Sequence, residues 1–92
     1  MIKNIKSNAL EQHWTTGKSA KVRPDLQKRI LRRLDALDVA RSIADLKMPG
    51  FDFHALLGFD PTRYTIHING PWCLTFEFDG TEPSRIDLEQ YH

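Results

Sequence analysis

The apolar pattern of this chain changes its period once, close to Gly50. Before that point four apolar side chains recur at intervals of four, four and three residues, which places them on one face of a helix. They are Leu26, Ile30, Leu34 and Leu37. After it, from residue 64 to 78, large apolar residues alternate with smaller or polar ones, which is the period of a strand. A helical half followed by a strand half predicts an α+β fold, in which two helices pack on one face of an antiparallel sheet.

Cap residues divide the helical half. Asn8, with Glu11 three residues later, predicts the capped start of a short helix over residues 9–16. Gly17 is expected to end that helix, and Pro24 suits the first turn of the longer second helix.

Turn residues divide the strand half in the same way. Asn69-Gly70 predicts a hairpin, with Pro71 able to lengthen its loop. A second turn is expected at Asp79-Gly80, before a last strand over residues 85–88. Residues 1–6 are expected to add an edge strand. Strand alternation also places His67, Cys73 and Thr75 together on the wetter face of the sheet.

Length and composition predict one domain over residues 1–92. The single cysteine excludes an internal disulfide framework. No apolar run approaches the roughly 20 residues that span a bilayer, and the first residues lack the apolar stretch of a signal peptide. We therefore expect a cytoplasmic protein with no membrane partner.

The net charge of +1 hides an uneven distribution. Residues 1–47 carry eleven Lys and Arg against five acids, while residues 48–92 carry two against seven. Four basic residues of the second helix fall largely off its apolar stripe and are expected to face outward. They are Lys28, Arg29, Arg32 and Arg33. Such a face either contacts phosphates or an acidic protein, or is simply solvated.

Three places could carry chemistry. His54 and the closing Tyr91-His92 offer groups that can transfer a proton near neutral pH. Cys73 could be a nucleophile beside His67, or a small side chain of the sheet interior. His13 and His67 are expected to be surface or capping residues. No histidine spacing typical of a metal site occurs, so we expect no metal and no cofactor.

The order and spacing of short segments along the chain resemble the HigB branch of the RelE/ParE toxin superfamily, the ribosome-dependent mRNA interferases. The segments are Met1-Ile2-Lys3, Thr16-Gly17-Lys18, Arg33-Leu34-Asp35-Ala36-Leu37-Asp38, Asp45-Leu46, His54-Ala55-Leu56-Leu57-Gly58, Tyr64-Thr65-Ile66-His67-Ile68-Asn69, Trp72-Cys73-Leu74-Thr75-Phe76 and Tyr91-His92.

The resemblance implies a RelE-like fold and cleavage of translated mRNA in the ribosomal decoding site. There the ribose 2′-OH attacks the adjacent phosphorus without a metal. His54 and His92 match the family's acid/base histidines, and Tyr91 matches a position that stacks a base or helps to donate a proton. Arg63 and Arg85 are secondary phosphate-binding candidates.

The chain departs from the family pattern at three positions. Cys73 stands where the family usually has an arginine that supports the transition state. Leu57 replaces a lysine of active relatives, and Gln90 replaces an aspartate. Losing an oxyanion donor costs about 10²–10³ in rate, so an attenuated enzyme is expected.

The implied partners are a helix-turn-helix, HigA-like antitoxin, ribosomal RNA and mRNA, with operator DNA reached only through the antitoxin. Two alternatives stay open. One is a catalytically weak or inactive module that binds the antitoxin and helps to repress its own operon. The other, disfavoured by the Tyr-His ending, is a ParE-like gyrase inhibitor.

Overall fold

The computed structural model describes residues 1–19 and 21–90. Within them lie the helices α1 (Asn8–Thr16) and α2 (Gln27–Val39), a short 3₁₀ helix (Ile43–Leu46) and the strands β1 (His54–Leu56), β2 (Arg63–Asn69), β3 (Trp72–Phe78) and β4 (Pro83–Gln90). The predicted α+β fold, helices first and antiparallel sheet second, is confirmed.

The core lies between α2 and the sheet. The four stripe residues of the second helical segment are buried, and so are the large apolar residues of the strands. Ile66 and Ile68 of β2, Leu74 and Phe76 of β3, and Ile86 of β4 are all fully buried on the helix side. Because neighbouring side chains of a strand point to opposite faces, this burial directs the intervening residues to the other face of the sheet.

The sheet is an antiparallel meander in the order β1-β2-β3-β4. Each strand pairs with the next in the chain. The connections, two hairpins and a longer loop, therefore determine which residues lie opposite one another. One row across the sheet joins His54, Thr65 and Thr75, and the next joins His67, Cys73 and Glu89. These two rows define the face on which the candidate site lies.

The predicted helix caps are displaced. Ser7, not Asn8, caps α1: its backbone is extended and its hydroxyl accepts a hydrogen bond from the backbone N–H of Leu10 at 3.2 Å. Gly17 ends α1 as expected, with a φ of 77° that suits glycine. Helix α2 starts three residues after Pro24, because residues 24–26 form a separate hydrogen-bonded turn.

The expected edge strand over residues 1–6 does not form. Instead Ile5 makes a single parallel bridge to Ile86 in β4, flanked by backbone hydrogen bonds from Lys3 to Pro83 and from Lys6 to Ile86. The first residues thus cover part of the outer edge of β4 without entering the sheet.

His54 belongs to β1, since residues 54–56 pair with β2. Two boundaries in the strand half differ from prediction. The first hairpin turns at Gly70-Pro71 and not at Asn69-Gly70, because Asn69 still pairs with Trp72 after a bulge. The final strand is longer than expected and begins at Pro83. Among the described residues, no helix has the length and apolar character needed to cross a membrane.

Candidate active site

A pocket of about 370 Å³ opens on the face of the sheet that points away from α2. The residues around it come from the segment before β1, from β1 itself and from the hairpin of β2 and β3. They are Asp52, His54, Thr65, His67, Gly70, Pro71 and Cys73. The pocket therefore combines two imidazoles, a carboxylate and a thiol.

Asp52 and His54 form an exposed ion-pair contact at the rim of the pocket. Nε2 of His54 lies 3.0 Å from Oδ1 of Asp52. Asp52 reaches this position with a φ of 47°, a left-handed conformation that aspartate tolerates better than most residues. A ring nitrogen bonded to a carboxylate carries the proton, so Nδ1 of a neutral His54 is left as the proton acceptor. His54 can thus act as a base, and the Asp52 carboxylate orients its ring.

His67 is the second imidazole of the pocket. Its Nε2 lies 3.0 Å from the carbonyl oxygen of Gly70, within its own hairpin. Its backbone N–H donates to the carbonyl of Phe51, and its carbonyl accepts from Nε of Arg33 at 3.2 Å. The backbone and the ring are both anchored, so His67 is a positioned group that caps its own hairpin.

Cys73 lies opposite His67 across the hairpin, and its side chain is only 6% exposed. Burial, with a smaller contribution from the negative charge of Glu89, raises the pKa of the Cys73 thiol to about 11. The neutral thiol points toward the carbonyl of Glu89, 3.7 Å from Sγ. Cys73 therefore fits the small interior side chain and not the nucleophile, since the thiolate is the reactive form.

The predicted wetter face is drier than expected beside Cys73. Thr75 is fully buried, because Arg63 and Glu89 cover its hydroxyl. The guanidinium of Arg63 donates to Thr75 at 2.9 Å and contacts Glu77 at 3.4 Å, while the Thr75 hydroxyl donates to Glu89. Polar groups that satisfy one another can be packed away from water.

Arg63 and Arg85 lie apart from this pocket and line a second one, of about 300 Å³, together with acidic residues. The Arg63 side chain is 12% exposed and fully engaged, and it also donates to the carbonyl of Arg85 at 3.2 Å. The Arg85 side chain is 67% exposed, with a contact of 3.8 Å to Glu77. Of the two, Arg85 is the one accessible to a phosphate.

Three of the four basic residues of α2 are exposed, and the fourth is half-buried. Lys28 and Arg32 are exposed, as predicted. Arg29 is exposed but donates to the carbonyl of Ile68 at 3.0 Å. Arg33 is half-buried over the ring of Phe51, 4.4 Å from its centroid, and burial followed by repulsion from its basic neighbours lowers its pKa. The outward orientation expected of the cluster is therefore wrong for Arg33, which packs inward.

The structure thus brings His54 and Cys73 into one pocket. Tyr91 and His92 lie outside the described residues. The last described residue, Gln90, pairs with Trp72, next to Pro71 and Cys73 at the pocket wall.

Three pocket residues were missed or dismissed from the sequence. Asp52 could have been found because it lies two residues before His54 in the sequence. His67 could have been found because strand alternation places it on the same face as Cys73. Thr65 had none, because a threonine in a strand is an ordinary occurrence.

Comparison with known proteins identifies the family to which this chain belongs. A family model described as "RelE-like toxin of type II toxin-antitoxin system HigB" matches residues 3–91. The chain is 29% identical over 92 residues to the "Endoribonuclease HigB" of Proteus vulgaris, with 100% of both chains covered. It is 27% identical over 73 residues to an uncharacterized protein of Haemophilus influenzae, covering 78% of this chain and 72% of that one. Since the family match spans nearly its whole length, the chain belongs to the HigB-like toxins, the RelE-like toxins of type II toxin–antitoxin systems.

Proposed function

We propose that this toxin is an endoribonuclease that cleaves mRNA on the ribosome. In the proposed reaction a base takes the proton of a ribose 2′-OH, and the oxygen forms a bond to the adjacent phosphorus. The bond from phosphorus to the 5′-oxygen breaks as an acid protonates that oxygen. The products are a 2′,3′-cyclic phosphate and a 5′-OH, and the reaction uses no metal.

The observation that carries the proposal is the Asp52–His54 contact at the rim of the pocket. General base catalysis needs a group with a pKa near working pH, and an unprotonated nitrogen that faces the substrate. Bonding of Nε2 to Asp52 leaves Nδ1 for that purpose. His54 is accordingly assigned as the base and Asp52 as the residue that fixes its tautomer.

The acid is assigned to His92, with Tyr91 stacking on a base or assisting the proton transfer. Support comes from the family membership and from the pairing of Gln90 in β4 with Trp72, the residue between the pocket residues Pro71 and Cys73.

Cys73 is proposed to attenuate the enzyme. The buried thiol is neutral, so it gives no charged hydrogen bond to a phosphorane, whereas an arginine at this position could. Losing such a donor costs about 10²–10³ in rate. Leu57, which is 95% exposed after β1, likewise supplies no cation.

The proposed partners follow from the family and the surface. A helix-turn-helix, HigA-like antitoxin would neutralise the toxin and carry it to operator DNA. On the ribosome, Lys28, Arg29 and Arg32 would contact rRNA phosphates, each contact making binding more salt-dependent. Arg33 belongs to this surface only in part, because its guanidinium is committed to Phe51 and His67.

The test is primer extension on a defined mRNA bound to purified ribosomes with the toxin added. Cuts within the A-site codon are expected for the natural sequence, and a far higher rate for Cys73→Arg. His54→Ala and His92→Ala should each lose about 10²–10⁴ in rate. Lys18→Ala, at an exposed position that does not line the pocket, is the matched control and should cut normally.

A second candidate, a catalytically weak module that binds the antitoxin, is favoured by one observation. The pocket has no lysine or arginine among the described residues that line it. This reading is supported if neither the natural sequence nor Cys73→Arg cuts mRNA while both still sediment with ribosomes and bind the antitoxin.

A further inference from the structure

We propose that His67 binds the reacting phosphate as an imidazolium, through Nδ1–H, and so supplies part of the positive charge that an arginine at position 73 would supply. The inference rests on the proposed ribonuclease function and names a further catalytic residue for it. His67 would act on charge at the phosphorus, while His54 and His92 would transfer protons.

The first support is the register of the hairpin. His67 and Cys73 are directly opposite each other in β2 and β3, and both line the pocket. Side chains of such a pair emerge on the same face of the sheet, roughly 4.5–5.5 Å apart at Cβ. A group on His67 can therefore reach much of the space that a longer side chain at position 73 would occupy.

The second support is the charge inventory of the pocket. Among the described residues that line it, His54 and His67 are the two whose side chains can become positive. Nε2 of His54 is occupied by Asp52, and its other nitrogen is assigned to proton abstraction. A phosphorane carries more negative charge than the starting phosphate, so a cationic donor in the pocket speeds the reaction. His67 is the available one.

The third support is the orientation of the His67 ring. The contact of 3.0 Å between Nε2 and the Gly70 carbonyl places a proton on Nε2. Nδ1 has no hydrogen-bond partner among the described residues, and it donates once the ring is protonated. Gly70 holds its carbonyl in place through a φ of 58°, and Arg33 holds the His67 carbonyl from the side of α2. A preorganised donor of this kind loses little freedom when the phosphate arrives.

Several charges surround His67 and would influence its protonation. Asp52 and His54 line the same pocket, Cys73 pairs with His67 as a neutral thiol, Glu89 pairs with Cys73 from β4, and Arg33 donates to the His67 carbonyl from α2. The phosphate itself adds negative charge when it binds, which favours the imidazolium.

The kinetic test compares His67→Gln with His67→Arg on programmed ribosomes. Glutamine keeps a donor for the Gly70 carbonyl but cannot be charged, whereas arginine is always charged. We expect about a 10²–10³-fold slower reaction for His67→Gln and at least the natural rate for His67→Arg. The rate with His67→Arg should also decline less as pH rises from 6 to 9. In a Cys73→Arg background, His67→Gln should cost less than about tenfold, because the second cation is restored.

The outcomes separate the two proposals. If His54→Ala is inactive but His67→Gln cuts at the natural rate, the ribonuclease assignment stands and the role of His67 is wrong. For a toxin that does not cut at all, the readout is NMR titration with a dinucleotide whose 2′-OH is replaced by hydrogen. A shift of the His67 ring protons, together with weaker binding of the dinucleotide to His67→Gln as followed by the other pocket signals, supports phosphate binding. Absence of any shift at His67 overturns it.

Discussion

Replacement of Arg63 by methionine tests whether this residue is a structural ion-pair partner or an available phosphate ligand. The Arg63 side chain is 12% exposed and that of Glu77 is 17% exposed. The guanidinium satisfies Glu77, the Thr75 hydroxyl and the Arg85 carbonyl at 3.4, 2.9 and 3.2 Å. Methionine keeps the aliphatic stem but leaves the mostly buried Glu77 carboxylate with only the longer, exposed contact of 3.8 Å to Arg85.

The magnitude follows from that geometry. Removing one partner of a buried pair costs about 3–5 kcal/mol, and the remaining exposure of Arg63 and Glu77 places this pair at the lower end. We expect Arg63→Met to lose about 3 kcal/mol of unfolding free energy. For a chain of this size that corresponds to a fall in Tm of roughly 12–24 °C. A typical domain has about 5–15 kcal/mol in total, so the variant should stay folded under mild conditions.

The assay is equilibrium urea unfolding of the natural protein, Arg63→Met, Glu77→Met and the double variant. The double variant should recover much of the loss, because no charge is left unpaired. An Arg85→Met variant is the control, since its side chain is 67% exposed, and it should change stability by less than about 0.5 kcal/mol. An Arg63→Met variant as stable as the natural protein would refute the buried-network argument and return Arg63 to the phosphate-binding candidates.

Two further predictions concern titrating groups. The pKa of the Cys73 thiol is raised to about 11, so little reactive thiolate is present at pH 8. We expect iodoacetamide to alkylate the folded protein at least about 100-fold more slowly than the urea-unfolded chain, measured by mass spectrometry. Equal rates would contradict this prediction. Hydrogen bonds from Glu82 and Thr81 lower the pKa of Asp79 to about 2, so its contribution to stability is present above its usual pKa and disappears as pH falls toward 2. Thermal unfolding should therefore show Asp79→Ala less stable than the natural protein at pH 6, with a smaller difference at pH 2, and a difference that does not shrink would disprove this.

Much of the fold could be predicted because its signals are local. The spacing of Leu26, Ile30, Leu34 and Leu37 predicts a helix with one buried face, and all four are buried. The family resemblance is confirmed over residues 3–91. Boundaries were less predictable. Ser7 and Asn8 are both good caps, and the sequence cannot show which of two neighbours adopts the extended backbone.

The site was predictable only in part. His54 and Cys73 were identified as candidates from their own chemistry, the resemblance then gave each a role, and the pocket contains both. The contacts of Asp52 and His67 depend on the left-handed backbone at residue 52 and on the hairpin register, which are tertiary features. The inward packing of Arg33 was missed for the same reason, because helix period alone does not show that Phe51 lies beside it.

The bridge between Ile5 and Ile86 has a consequence for the order of folding during synthesis. The Asn4 side chain also accepts a hydrogen bond from the backbone of Arg85, a separation of 81 residues. Helices α1 and α2 can form from local contacts, but this closure must wait until β4 has been made. We therefore expect a nascent chain to lack this closure, and so its complete fold, until β4 has emerged.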